Sequence, residues 1–86
     1  MLEQDLQSRI KNDLKKKGWI VIKTILLSEN GFPDLICFRN KETIFIEVKS
    51  KKGVLSEIQK YRHKKLIEQG FKCLVINSYQ SYLDSF

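Results

Sequence analysis

Three residues break the apolar pattern of the chain's centre in a way that suits chemistry. Asp34 follows Gly31-Phe32-Pro33 at the start of an apolar run, and Glu47 and Lys49 sit two apart in Thr43-Ile44-Phe45-Ile46-Glu47-Val48-Lys49. Residues two apart on a strand project from one face. If the run opening at Asp34 pairs with this segment as a hairpin, the two carboxylates converge at one end of it. Carboxylates that close repel each other unless a cation lies between them. A cage of oxygen ligands suits Mg²⁺ or Mn²⁺, which keep several waters. A lysine beside such a cation can stabilise charge developing on a phosphate or hold an attacking water. That combination is a site for metal-dependent phosphodiester hydrolysis. The plainer alternative is a solvated strand face at Phe45, Glu47 and Lys49, with Asp34 as ordinary post-proline turn chemistry.

The elements that must position these residues follow from periodicity. Leu2, Leu6, Ile10 and Leu14 recur every four residues and predict a helix over Leu2–Lys17. Lys15, Lys16 and Lys17 suit its negative end, and Gly18 stands where a C′ glycine is expected. Trp19–Leu27 is β-branched and apolar and reads as a buried strand. Ser28–Pro33 is turn chemistry, 34–39 a second strand, Asn40-Lys41-Glu42 a hairpin turn and Thr43–Lys49 a third strand. In that third strand Ile44, Ile46 and Val48 face one side and Phe45, Glu47 and Lys49 the other. Ser56 with Gln59 three residues on is a capping box, opening a helix that runs to about Gln69 and stops at Gly70. Phe71–Ile76 is a fourth strand, and Tyr79–Phe86 a short terminal helix. The order α-β-β-β-α-β-α specifies an α/β fold with a mixed sheet flanked by helices. Strands 1 to 3 are expected antiparallel, and the second helix is the crossover that lays strand 4 parallel to strand 3.

Composition bounds the function. At 86 residues, 42% hydrophobic and 30% charged, the chain is a single globular domain over 1–86. Folding at this size buries only about 60–65% of the surface the unfolded chain exposes, which leaves no room for an organic cofactor. No apolar run is long enough to span a membrane. The acidic, polar start Met1-Leu2-Glu3-Gln4-Asp5 does not read as a secretion signal, so the expected location is the cytoplasm. Cys37 and Cys73 lie in apolar runs and read as reduced core residues, without zinc-ligand spacing. The net charge of +6 favours an anionic partner, nucleic acid before an anionic lipid surface.

Gly31-Phe32-Pro33-Asp34, followed after twelve residues by Glu47-Val48-Lys49, resembles the signature of the PD-(D/E)XK nuclease superfamily. Further residues narrow the resemblance: Glu3 on a helix with Leu6, Ile10, Leu14 and Gly18, then Lys51, Gly53, Leu55-Ser56 and Gln59. Together they are similar to the VRR-NUC family, especially its short stand-alone viral and bacterial members, from Glu3 to about Ile76, which implies a bacterial or phage-infected host cell. The resemblance implies a restriction-endonuclease-like core in which Asp34 and Glu47 hold Mg²⁺ or Mn²⁺ with the backbone carbonyl of Val48. It implies Lys49 as the catalytic lysine, and Glu3 reaching the metal directly or through water. It implies Gln59 pointing toward Lys49, whereas its bland reading is the capping box. It also implies an endonuclease acting by shape on branched DNA such as Holliday junctions, as a homodimer resembling the junction resolvases. The rival readings are a nucleic-acid-binding module of the same fold that does not cut, and a sequence-specific restriction-type enzyme, for which no recognition insertion is present.

The remaining candidates are weaker. Lys51, Lys52, Lys60, Arg62, Lys64 and Lys65 form a basic stretch beside the proposed site, either a solvated face or phosphate contacts. His63, set among Arg62, Lys64 and Lys65, reads as a solvated helix residue and not a ligand. Tyr79, Tyr82 and Phe86 are expected to pack, or to form part of a subunit contact.

Overall fold

The computed structural model describes residues 2–86. The elements run α1 (Glu3–Lys16), β1 (Ile20–Lys23), β2 (Leu35–Arg39), β3 (Glu42–Val48), α2 (Glu57–Glu68), β4 (Lys72–Ile76) and α3 (Tyr79–Asp84). The sheet has strand order β1-β2-β3-β4, with β1, β2 and β3 antiparallel and β4 parallel to β3. This is the expected mixed α/β architecture.

One face of the sheet carries the hydrophobic core. Val21, Leu35, Cys37, Ile44, Ile46, Val48 and Ile76 meet Leu6, Ile10 and Leu14 from α1 and Tyr82 from α3. The four-residue spacing of α1 explains its buried stripe. Leu2 lies outside that stripe, because it is the N-cap and stays exposed. Tyr82 is fully buried, and its hydroxyl donates to the Asp13 carboxylate on α1. Phe86 meets Trp19 edge-on, with ring centroids 6.0 Å apart. The terminal aromatics therefore close the core's end.

The hairpin between β2 and β3 turns through Asn40 and Lys41, both with positive φ, at 50° and 68°. Two left-handed residues match the twist of the flanking strands. The strand begins at Glu42, so the turn is one residue shorter than expected.

The first strand is not the buried 19–27 segment but four residues, Ile20–Lys23, of which only Val21 is buried. It is an edge strand whose outer face, Ile20 and Ile22, is exposed together with Phe38 on β2. Thr24 onward leaves the ladder, and Ile25, Leu26 and Leu27 stand in solvent, Leu26 at 92% exposure. Apolar content alone could not distinguish a core strand from an uncovered apolar surface. The plainer alternative, a solvated face at Phe45 and Glu47, does not hold. Both are buried, because α2 crosses β4 and covers this half of the sheet. Phe45 packs edge-on against Phe71 at 5.5 Å.

Gly31 sets the approach of α2 to the segment before Asp34. Its φ is +85°, and a Cβ there would lie 2.7 Å from the carbonyl oxygen of Ile58 on α2. Gly70, at the end of α2, shares the left-handed conformation at φ +92° but has open space around it. Gly31→Ala should therefore cost more than Gly70→Ala. Backbone strain of about 1 kcal/mol is common to both, and steric displacement adds about 1–3 kcal/mol only at Gly31. Urea denaturation of the two variants checks the order; equal losses would mean that α2 does not press on Gly31.

Candidate active site

The site is built where β2 enters and β3 leaves the sheet. The hairpin register pairs Leu35 with Ile46, so one step further Asp34 falls opposite Glu47. Asp34 is held from three sides. Its Oδ2 accepts from the backbone N–H of Val48 at 2.8 Å. Its own carbonyl accepts from the Thr24 N–H at 2.9 Å, while the Thr24 hydroxyl donates to Pro33 O at 2.8 Å. Arg62 on α2 ties down the preceding segment, donating to Asn30 O at 2.9 Å and Glu29 Oε2 at 2.8 Å. Pro33 is buried between them. The turn residues of Ser28–Pro33 thus form a braced approach to Asp34. An open cavity of about 260 Å³ beside it is lined by Thr24, Leu26, Gly31, Phe32 and Asp34, among others.

Glu47 is only 1% exposed. Burial, then the adjoining Asp34 carboxyl, pushes its pKa up to about 8, and the Lys49 ammonium opposes that rise. Glu47 Oε1 is buried without a hydrogen-bond partner. A buried carboxylate oxygen with nothing to pair is costly. Among the donors and acceptors on offer, the pairing of Asp34 with this orphan suits a hard divalent cation with oxygen ligands. Among the described residues, no three His, Cys, Asp or Glu side chains already converge into a metal cluster. The fit therefore rests on two opposed carboxylates, with room for backbone oxygen and water.

The other sequence candidates divide into those brought to this place and those that are not. Glu3, at the start of α1, reaches across to Ser50, whose N–H donates to Glu3 Oε2 at 3.1 Å, and its charge acts on Glu47. Lys49 is half-buried and continues β3 beyond Val48, its N–H donating to Ile76 O at 2.9 Å. Gln59 forms the capping box: its Oε1 accepts from the Ser56 N–H at 2.9 Å, and the Ser56 hydroxyl accepts from the Gln59 N–H. Lys51 and Lys52 stand exposed in the turn after Lys49. On α2, Lys64 is exposed, Lys60 pairs with Glu57 at 3.3 Å and Lys65 with Glu68 at 3.7 Å. Arg62 is engaged in bracing and is not a free surface cation.

His63 was the residue sequence reasoning misplaced. It is 6% exposed, and its Nε2 lies 3.6 Å from Glu47 Oε1, equally without a partner. Burial lowers its pKa, Asp34 opposes that shift and Lys49 adds to it, so the ring stands within the field of both. Its charged neighbours in sequence disguised it. The available signal was its helical phase, four residues after Gln59 and three before Leu66.

A four-stranded mixed sheet thus carries two acidic residues and a lysine at one end of its central hairpin, the arrangement that the resemblance to the PD-(D/E)XK nucleases implies. The VRR-NUC domain family matches residues 2–80, and the chain belongs to that family. A solved VRR-NUC domain superposes with a TM-score of 0.84 over 92% of this chain and 87% of its own, at 23% identity, a likeness of fold. A UPF0102 protein from Thermotoga neapolitana is 34% identical over 65 residues, covering 73% of this chain and 61% of the relative's length.

The raised pKa of Glu47 fixes a sign for stability. In the unfolded chain this carboxyl ionises near its ordinary value of about 4.5. The folded state keeps the proton until about pH 8, so the contribution is fully present at low pH and is lost as pH rises through the folded value. Between about pH 7 and 8, where an unfolded histidine is already mostly neutral, the metal-free protein should lose of the order of 1 kcal/mol per pH unit from this group. Glu47→Gln should flatten the curve and raise the melting temperature at the alkaline end. Thermal melts across that window in chelator check it; a wild-type curve already flat would mean Glu47 is ionised in the fold.

Proposed function

We propose that the protein is a divalent-metal-dependent DNA endonuclease that recognises branched structures such as Holliday junctions and acts as a homodimer. The observation that carries the reading is the buried, unpaired Glu47 oxygen set beside the braced Asp34 carboxylate. Asp34 and Glu47 would hold Mg²⁺ or Mn²⁺ with the Val48 carbonyl, and Glu3 would contribute from α1 directly or through water. Once bound, such a cation supplies Lewis-acid polarisation of the phosphate and a more acidic water. Lys49 orients that water or meets charge developing on the scissile phosphate. Gln59, the N3 residue of α2, would point from the helix start toward Lys49. Lys51, Lys52 and Lys64, exposed and without ion-pair partners among the described residues, are suited to phosphate contacts, as are Lys60 and Lys65 once released from their weak surface pairs. Arg62 would support the substrate only indirectly, through the segment it braces.

Support for a homodimer comes from the uncovered sheet face. Ile20, Ile22 and Phe38 expose apolar surface at an edge strand. A second copy covering this face would place two sites under one two-fold axis, the arrangement needed to cut two strands symmetrically.

Cleavage of a four-way junction should require Mg²⁺ or Mn²⁺ and cease in EDTA; cutting that persists in chelator would remove the metal from the mechanism. Lys49→Ala should slow single-turnover cleavage at least about a hundredfold while binding is nearly unchanged. Replacing Lys51 and Lys52 together should do the reverse, weakening binding and shallowing its salt dependence by about one unit of slope for each phosphate no longer neutralised. Equal cleavage of linear and branched substrates would restrict the reading to an unselective nuclease.

A further inference from the structure

Of the residues on α2, only His63 is buried. A helix laid on a sheet ordinarily inserts aliphatic side chains there, yet this one inserts an imidazole, flanked in sequence by Arg62 and Lys64. Its Nε2 faces Glu47 Oε1 at 3.6 Å, and neither atom has another partner. Two mutually facing orphans inside a folded domain are uncommon, since buried polar atoms are nearly always paired. The gap exceeds a hydrogen bond by only about half an ångström.

We infer that His63 is a positioning residue, whose Nε2–H holds Glu47 Oε1 and so turns the other carboxylate oxygen toward Asp34 and the cation between them. The inference rests on the proposed cation site. Direct ligation by the imidazole fits the geometry less well, because Asp34, Glu47 and His63 do not converge as a three-ligand set. A metal-ligating carboxylate is commonly fixed by a hydrogen bond to its second oxygen, and losing that partner typically weakens metal binding ten- to a hundredfold. The placement also explains why α2 crosses this half of the sheet: the helix carries the residue that orients the acid on β3, besides the Arg62 brace on the segment before Asp34.

The test is Mn²⁺ titration by calorimetry on the whole chain, comparing wild type with His63→Leu and His63→Gln. Leucine removes the donor. Glutamine keeps an amide N–H near the position of Nε2. His63→Leu should bind Mn²⁺ at least about tenfold more weakly, with a metal-free melting temperature no lower than wild type. His63→Gln should recover most of the affinity. Wild type that binds no Mn²⁺ would defeat the cation site itself. Wild type that binds, with His63→Leu equal to it, would defeat only the role of His63. A glutamine variant as weak as leucine would overturn the donor role and make the imidazole a ligand. If the leucine variant does not fold, the wild-type protein decides: nitrogen-detected spectra of the Mg²⁺-saturated chain should show the proton on Nε2. A bare Nε2 with the proton on Nδ1 would overturn the inference.

Discussion

A carboxyl group held out of water on a central strand is the constraint around which this small fold is arranged. Glu47 sits on β3, between β2 and β4, with almost no exposure. An isolated charge there would cost several kcal/mol in lost hydration. The chain does not pair it with a buried arginine or lysine; it brings a second carboxylate, Asp34, to the same place. That choice is unfavourable for an empty site and favourable for one that receives a cation. The site half of the molecule therefore gives up stability, while the opposite face of the sheet supplies an apolar core whose buried Tyr82 hydroxyl is paired with Asp13.

The bracing of Asp34 follows from the same constraint. Two carboxyl groups brought together stay in place only if their backbones are fixed. Register fixes Glu47, since a one-residue slip of β3 would turn every core isoleucine to the other face. Asp34 lies one residue before its strand and lacks that protection, so Thr24, Arg62, Val48 and the close packing of Gly31 on Ile58 supply it. Arg62 is committed to this task. The basic stretch that looks uniform in sequence is thus divided in space, with one cation structural, two in exposed i,i+3 pairs and Lys51, Lys52 and Lys64 turned to solvent.

What was legible in the sequence depended on whether local pattern and tertiary environment agreed. The α1 stripe, the Ser56–Gln59 capping box, the β2–β3 hairpin and the parallel β4 were readable because spacing, caps and turns each pointed one way. The convergence of Asp34 and Glu47 was readable for the same reason, since the turn at Asn40 and Lys41 sets the register that opposes them. The extent of β1 was not, because Ile25, Leu26 and Leu27 have strand composition but no partner. His63 was not, because its burial is imposed by a strand distant in sequence, and its neighbours Arg62, Lys64 and Lys65 advertise a solvated face. Gln59 remained ambiguous because one side chain satisfies the capping rule whether or not it has a second task.

The uneven cover of the sheet links architecture to access. A chain of 86 residues has enough helix to close one face and half of the other. Extending the cover over Ile25, Leu26 and Leu27 would roof over the cavity beside Asp34, which these residues help to line. Leaving that side open keeps the acidic pair within reach of an extended, rigid polyanion, which could not enter a closed pocket. The consequence is an exposed apolar edge strand, a recognised hazard for unwanted pairing. Short length limits that hazard, since β1 has only four residues and ends at Lys23. A second copy seated on the same edge would remove it altogether while leaving the Asp34 cavity to substrate. The residual apolar surface is then the natural result of building an accessible, carboxylate-rich site on so small a sheet.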